Sequence, residues 1–246
     1  MNRHLRAEIT KVRTTRTTLG MAAALLTLVL VAIALHALGF PASSLADRVA
    51  QRRIMIDVGE NLGTIFAALS GAMAITAEIR HGTIRPTLLA APRRVQVLAA
   101  KTATQLVTGL VFGALATATA AIAGTLFLSA RGINVHLRGD DYLLLVAGGA
   151  AASALWAVIG LGLGTIVRSQ VPVTVGLLVW VLFVENLVRG GIPRVGRFAP
   201  GSLAQSIAGQ TTNTLHSPVA AGALLAVYAG AIAITARIAF NRRDIA

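Results

Sequence analysis

The chain has 246 residues, of which 55% are apolar and only 13% charged, yet 22 Lys and Arg stand against 9 Asp and Glu, a net charge of +13. A soluble domain carries about twice this charged fraction, and a disordered chain lacks such an apolar content, so both classes are excluded. The sequence contains no cysteine, which excludes disulfides, thiolate metal sites and a cysteine nucleophile. A membrane protein is indicated.

Six runs are long and apolar enough to cross about 30 Å of hydrocarbon as helices. They predict an all-α polytopic membrane protein that consists of a single transmembrane domain. The longest polar stretch, 188–217, leaves no room for a soluble catalytic domain, and its Gly and Pro content predicts short helices half inserted from outside. The predicted spans are 19–40, 58–79, 102–128, 142–167, 171–187 and 219–240.

The placement of the charges predicts the orientation of these spans. Alternate connecting segments on one side, together with both termini, hold 14 basic and 3 acidic residues, a balance of +11. The other side holds 8 basic and 6 acidic residues, a balance of +2. Because cytoplasmic segments retain Lys and Arg during insertion, both termini are expected in the cytoplasm. The positive charge is thereby explained without a nucleic-acid partner.

Residues 1–18 predict an amphipathic helix at the membrane surface. Leu5, Ile9 and Val12 recur at i, i+4 and i+7, while basic residues that include Arg13 and Arg16 occupy other faces. The alternative is that these basic residues only set topology through attraction to anionic lipid. The apolar stripe favours an ordered interfacial helix.

The segment 80–101, between the second and third spans, predicts a second short cytoplasmic helix. Gly82 can end the preceding helix, Thr83 can cap a new one, Pro86 fits its first turn and Pro92 stops it. This helix, 83–91, would be too short to be stable alone and too apolar to face water. A docked cytoplasmic protein would cover it, and the alternative is that it lies flat on lipid. Its apolar face holds Ile84, Leu88 and Ala91.

A pattern that begins at Glu78 and ends at Lys101, Glu-x-Arg-x-Gly-Thr-Ile-x-x-x-Leu-Leu-x-x-Pro-Arg-Arg-x-x-Val-Leu-x-x-Lys, resembles the cytoplasmic segment of permease subunits of type-2 ATP-binding-cassette transporters. The Gly-rich stretch 160–169 resembles the fourth span of that family with its Arg-Ser turn. The stretch 200–207 resembles its external Pro-containing segment. The six-span layout agrees with this resemblance.

The resemblance implies that 83–91 is the coupling helix that inserts into a groove of a separate ATPase subunit, and that 5–16 is the connecting helix at the membrane surface. It further implies two permease chains, expected as a homodimer, and two ATPase subunits that alone bind Mg-ATP. This chain is then expected to export a cargo across a bacterial cell membrane without a catalytic residue, cofactor or metal of its own. The residues expected to contact the ATPase are Thr83, Ile84, Arg85, Leu88, Leu89 and Ala91.

Within the spans, two kinds of residue stand out. Gly160 and Gly164 are spaced to let two helices approach closely, either within the chain, which is favoured, or at a dimer contact. His36, Glu60 and Glu185 are ionisable and lie within or at the ends of apolar runs, which makes them candidates for a transport pathway. Glu185 can also pair with Arg189 at i+4.

Two other classes of function remain open alternatives. An intramembrane protease or lipid transferase would need a Gly-x-Ser-x-Gly nucleophile, a His-Glu-x-x-His motif or clustered aspartates, and the sequence has none of them. An ATP-independent carrier would need a polar site at the centre of a broken helix, and no span has paired charges or a Pro-Gly break at its centre. The few polar groups in the spans favour a hydrophobic compound, peptide or lipid-linked cargo, with Na⁺, an antibiotic and a lipid all left open.

Overall fold

The computed structural model of the chain describes residues 2–83, 86, 94–210 and 216–242, and all regular structure in these ranges is helical. Six helices are long and apolar enough to cross a membrane, which confirms the predicted all-α, multi-pass architecture. The helices are α1 (Asn2–Thr14), α2 (Arg16–Gly39), α3 (Arg48–Arg80), α4 (Arg94–Ala130), α5 (Gly139–Val167), α6 (Gln170–Val179), α7 (Glu185–Gly191), α8 (Pro193–Gly196), α9 (Pro200–Ile207) and α10 (Pro218–Arg242).

The long helices run alternately up and down, so the bundle has two distinct ends. The α1 end contains α1, the last turn of α3, the first turn of α4 and the turn between α5 and α6. The far end contains the α2–α3 connection, the start of α5 and the short helices α7 to α9. An Arg80 Nη1 to Gln170 Oε1 hydrogen bond of 3.4 Å joins two elements of the α1 end.

Several helices extend well beyond the apolar runs that predicted them. Helix α3 begins ten residues before its run, because Asp47 caps its first turn by accepting a 2.6 Å hydrogen bond from the Ala50 amide. Arg48 and Arg52 then bind the buried carboxylate of Asp141 at the start of α5, with closest distances of 2.7 Å and 3.0 Å. These polar first turns form the far end of the bundle, where hydropathy alone gives no helix signal.

Helices α3, α4 and α5 pack against one another as the centre of the bundle. In α5, 67% of the most apolar window is buried, against 17% in α2 and 22% in α10. Helix α2 packs on α3 and α4, and α10 packs on α5. The outer helices therefore leave most of their apolar side chains at the surface, as contact with lipid or with another transmembrane chain requires.

Small residues allow the central helices to touch backbone to backbone. Gly160 lies against the carbonyl of Ala68 in α3, and a Cβ added to Gly164 would lie 2.7 Å from the carbonyl oxygen of Ala72. Gly109 and Gly113 of α4 face α5 in the same manner. These contacts are all within one chain, and they bury helix surface by close van der Waals packing, the main source of association between helices in lipid.

Gly71→Ala is expected to destabilise the bundle by about 1–3 kcal/mol, because its methyl group would overlap the Ala157 carbonyl and lie 2.8 Å from the Leu161 amide nitrogen. Thermal unfolding of the purified protein in lipid nanodiscs measures the effect. Gly20→Ala is the matched control, since nothing lies within 4 Å of the added methyl group. Equal unfolding temperatures for the two variants would contradict this packing.

The fifth span is not a continuous α-helix. It follows a tight turn in which Arg168 adopts the left-handed conformation at φ 59°, and it begins as α6. A π-helical turn, Trp180–Val184, then separates α6 from α7. The sequence has no Pro-Gly break at the centre of this span, and a π-turn, which requires neither Pro nor Gly, leaves no pattern of its own. Such turns occur frequently at functional sites.

The segment after α7 folds back into the far end of the bundle. The short helix α8 precedes α9, and every residue of α9 from Gly201 to Ile207 is buried. Helix α9 packs on α3, α5 and α10. A loop at this position would expose unpaired backbone groups to apolar surroundings, whereas a helix satisfies them internally.

Candidate functional site

A polar cavity of about 440 Å³ lies at the far end, between α2, α3, α7 and α9. Its volume falls in the range of small-molecule sites. It is lined by apolar residues from α2, α3 and the π-turn together with His36, Arg53, Asp57, Asn61, Asn186, Arg189, Gln205 and Gln210.

Helix α3 supplies the charged wall of this far-end cavity. Arg53 and Asp57 are one turn apart on one face, and Arg53 Nε lies 3.5 Å from Asp57 Oδ2. Asn61, one turn further, donates a 2.8 Å hydrogen bond from Nδ2 to the Asp57 carbonyl. The amphipathic spacing at i, i+4 and i+8 therefore brings three polar side chains to the cavity from one apolar helix.

Glu60 is fully buried, with 0% of its surface exposed, and neither carboxylate oxygen has a hydrogen-bond partner among the described residues. It lies on α3 between Asp57 and Asn61, which both line the cavity. The charged groups of Asp57, Glu185 and Arg189 act on it electrostatically. A buried carboxyl group without a protein partner is costly, so the fold retains it at the expense of stability.

Glu185 is also fully buried but has partners. It follows the π-turn, and its Oε1 accepts a 2.9 Å hydrogen bond from the Ser202 amide in the first turn of α9. Arg189 Nη2 lies 3.7 Å from the same oxygen, so the pair expected from the i, i+4 spacing is formed. Arg189 also donates a 2.8 Å hydrogen bond to Gln205 Oε1. Glu185 thus ties the fifth span to the N-terminus of α9, where a negative charge is favourable.

The three residues singled out for a pathway lie at one end of the bundle. His36 lines the far-end cavity, and its Nδ1 lies 2.8 Å from the Ala32 carbonyl oxygen. Glu60 and Glu185 lie on the two helices that form the opposing cavity walls. Several further polar atoms around this site are buried without a partner among the described residues, namely Glu185 Oε2, Arg189 Nε and Gln210 Oε1. Buried polar atoms of this kind are normally hydrogen-bonded to ordered water or to a bound molecule.

The sequence analysis missed a second charged cluster, at the α1 end. Lys101 is 1% exposed, and its Nζ donates to Glu78 Oε1 at 2.7 Å, to Glu8 Oε2 at 3.0 Å and to the Ala74 carbonyl at 3.0 Å. Lys11 bridges the same two carboxylates at 2.8 Å each. These four side chains, named here the basal ion cluster, join α1, α3 and α4.

The basal ion cluster changes which face of α1 is buried. Glu8 is the buried side chain of that helix, Leu5 and Val12 are half-buried, and Ile9 is 38% exposed. Arg13 and Arg16 are exposed. The signal in the sequence was Glu8 itself, the lone acid of the basic N-terminal segment, located on the same side as Leu5 and Val12. Its partner could not be identified, because 93 residues separate it from Lys101.

Burial raises the pKa of the Glu8 carboxyl, but the nearby Lys101 and Lys11 ammonium groups outweigh it, so the pKa lies below the ordinary 4.5. Burial lowers the pKa of Lys11, but hydrogen bonds to Glu78 and Glu8 outweigh it and raise the pKa above 10.5. The contribution of Glu8 to stability is therefore present above its unfolded pKa and is lost as the pH falls through its folded value. That of Lys11 is present below its unfolded pKa and is lost as the pH rises through its folded value.

The expected ATPase contact lies almost entirely outside the described residues. Of its members, Ile84, Arg85, Leu88, Leu89 and Ala91 are outside these ranges, and Thr83 is described. Gly82, at φ 70°, ends α3 as its position predicted, and the Thr83 amide donates a 3.0 Å hydrogen bond to the Glu78 carbonyl. Glu78 of the basal ion cluster thus lies in the last turn of α3, immediately before this connection begins.

The part of the chain that the structure describes holds no group of three or more His, Asp or Glu side chains placed to bind a metal ion. Comparison with protein-family models and with characterised proteins gave no match.

Proposed function

We propose that this chain is the membrane-spanning permease subunit of an ATP-binding-cassette exporter, expected as a homodimer that recruits two copies of a separate ATPase. Six helices long enough to span a membrane support it. The strong excess of basic residues at the α1 end supports a cytoplasmic position for that end, in a bacterial cell membrane.

The observation that carries the proposal is the basal ion cluster, which joins the two ends of the sequence pattern that resembles a coupling segment. The first and last residues of the resembling pattern, Glu78 and Lys101, bind each other at 2.7 Å. Within the basal ion cluster, Lys101 also binds Glu8 and Glu78 also binds Lys11 of α1. The two helices that flank the connection are thus held at a fixed distance, with α1 attached to them. A force applied to the connection would move α1, α3 and α4 together, as transmission from an ATPase requires.

The far-end cavity supplies the second requirement, a polar site inside the bundle. The polar side chains that line it, such as those of Arg53, Asp57 and Asn61, can bind the polar part of a cargo. The exposed apolar faces of the outer helices can contact an apolar part of the cargo in the lipid. An exported amphiphilic compound fits both surfaces. The binding of Mg-ATP is assigned to the partner ATPase alone.

Replacing Leu88 and Leu89 with Asp is expected to weaken ATPase binding at least tenfold, because two charges would be placed in an apolar contact. Affinity purification with the ATPase encoded beside this chain, followed by its hydrolysis rate, measures the effect. Ile192→Asp with Val195→Asp is the matched control, since both residues are exposed at the far end. An ATPase complex that survives the first double variant would contradict the assignment.

One observation favours a second candidate, an ATP-independent carrier. The fifth span is broken by its π-turn, and the fully buried Glu60 on the facing helix has no partner among the described residues. Broken helices and buried acids are features of such carriers. If the wild-type chain binds no ATPase and forms a stable complex only with itself, this carrier function would replace the exporter. An intramembrane enzyme remains a third class, and no structural observation favours it.

A further inference from the structure

The far-end cavity has charged residues at one end and apolar residues at the other. Along α3, the lining residues Arg53, Asp57, Asn61 and Ile65 follow one another at intervals of about one helical turn. At 1.5 Å per residue, this row extends over about 18 Å, from two charged side chains through an amide to an aliphatic one. The cavity therefore suits an amphiphilic molecule whose polar group lies at the far end and whose apolar part points towards the centre of the bundle.

The same order of polarity occurs on the two other long elements that line the cavity. On α2, Ala32 lies one turn deeper than His36. On the fifth span, Leu182 lies deeper than Asn186 and Arg189. Three separate elements thus place their polar side chains at the same end of the cavity.

The two charged groups on α3 are accessible and only loosely paired. The side chain of Arg53 is 65% exposed and that of Asp57 is 35% exposed. Arg53 Nε lies 3.5 Å from Asp57 Oδ2, which is longer than a normal charge-assisted hydrogen bond. A guanidinium has five N–H donors and a carboxylate has about four acceptor positions, so this one contact leaves both groups able to bind a ligand.

Arg189 also lines the cavity, but its charge is already bound within the protein. Its Nη1 donates to Gln205 Oε1 at 2.8 Å, and its Nη2 lies 3.7 Å from the buried Glu185 carboxylate. Arg53 and Asp57 are therefore the accessible charged pair, with one group of each sign side by side. A ligand with only a negative charge would be attracted by Arg53 and repelled by Asp57, and a ligand with only a positive charge would meet the reverse.

We propose that the far-end cavity binds an amphiphile with a zwitterionic head group, whose anionic group binds Arg53 and whose ammonium group binds Asp57. This substrate class rests on the proposed function, in which the same cavity holds the exported cargo. The apolar part of the molecule lies against Leu62 and Ile65, deeper in the cavity. Apolar burial supplies affinity, and the two charges supply selectivity.

The test uses the full chain in uncharged alkyl maltoside micelles, without an ATPase, and three radiolabelled octyl probes at one fixed pH. Octyl phosphoethanolamine carries both charges, octyl methyl phosphate only the negative one and octylamine only the positive one. Equilibrium dialysis, corrected for uptake by protein-free micelles, is expected to give a dissociation constant about 5-fold lower for the zwitterion than for either other probe. Equal constants would show nonselective filling by the octyl chain, and tighter binding of a single-charge probe would assign the cavity to that ion. Either result would overturn the proposal.

Two neutral substitutions should change the selectivity in opposite directions. Asp57→Asn removes the negative charge, so octyl methyl phosphate should bind at least as tightly as the zwitterion. Arg53→Gln removes the positive charge, so octylamine should bind at least as tightly as the zwitterion. The matched controls Asp140→Asn and Arg194→Gln replace exposed charges of the far end that do not line the cavity, and they should keep the wild-type order. A wild-type order of the probes in either cavity variant would contradict the assignment.

Failure of this proposal and failure of the exporter assignment give different results. The dialysis contains no ATPase, whereas affinity purification measures ATPase recruitment alone. A chain that prefers the zwitterion but recruits no ATPase would contradict the exporter and keep the substrate class of the cavity. A chain that recruits the ATPase but binds the three probes equally would do the reverse.

Discussion

Lys101→Met is expected to destabilise the protein by about 3–5 kcal/mol and to detach α1 from the bundle. Methionine keeps the volume of the side chain but leaves Glu8 and Glu78 without the buried ammonium group that binds both. Removing one member of a buried ion pair leaves the other charge uncompensated, which is the most costly way to break such a pair. Thermal unfolding in nanodiscs and limited proteolysis of residues 2–14 measure the two effects.

Lys11→Met is the matched control, because Lys11 contacts the same two carboxylates at 2.8 Å while its side chain is 47% exposed. Its loss is expected to change the stability by less than about 1 kcal/mol, since water screens an exposed pair. Combining Lys101→Met with Glu8→Gln and Glu78→Gln should restore most of the stability. If the two lysine variants unfold at the same temperature, Lys101 is not the centre of the cluster.

The pH dependence of α1 attachment gives an independent readout in the wild-type protein. Because the pKa of Glu8 is lowered by folding, protonation at acidic pH should release α1 as the pH falls through that lowered value. The Glu8→Gln variant should not show this transition.

Glu185→Met is expected to lower stability by about 2–4 kcal/mol and to loosen α9 in particular. It removes the acceptor of the Ser202 amide at the start of α9 and the carboxylate that pairs with the Arg189 guanidinium, which keeps its hydrogen bond to Gln205. Hydrogen exchange of the α9 amides should rise at least tenfold, while exchange in the central part of α5 should change less. Mass spectrometry of exchanged peptides distinguishes these regions.

The companion variant Glu60→Met has the opposite expected effect on stability. Glu60 is equally buried but has no partner among the described residues, so an apolar side chain of similar size should be neutral or stabilising. If Glu60 also contributes to cargo transport, transport should fall even though the substitution does not weaken the fold. Equal destabilisation by both substitutions would show that Glu60 has a structural partner.

The six spans could be predicted from the sequence because the length of an apolar run is a local property. A run of about 20 apolar residues is long enough to cross the bilayer as a helix. The starts of α3 and α5 could not, since their polar first turns are stabilised by contacts with each other, such as Arg48 with Asp141. His36, Glu60 and Glu185 could be selected because ionisable groups are rare in apolar runs. Their assembly around one cavity depends on how α2, α3 and α7 pack, which no single segment encodes.

Two further features could not be predicted from the local sequence. The π-turn Trp180–Val184 consists of ordinary apolar residues, which have no sequence pattern specific to i→i+5 hydrogen bonding. The basal ion cluster joins positions 8, 11, 78 and 101, so its charges were interpreted one by one as topology signals. The close contacts of Gly160 and Gly164 with α3 agree with the favoured intrachain alternative, although spacing alone could not identify the partner helix.

The basal ion cluster also has a consequence for the order of assembly during synthesis. All four of its side chains lie within the first 101 residues of the chain, whereas the far-end cavity requires residues as late as Gln210. Because proteins fold progressively as they emerge from the ribosome, the first three spans can be joined at their base before the last three have been inserted. A partly synthesised chain would then already hold the basal ion cluster, and the later helices would complete the far-end cavity.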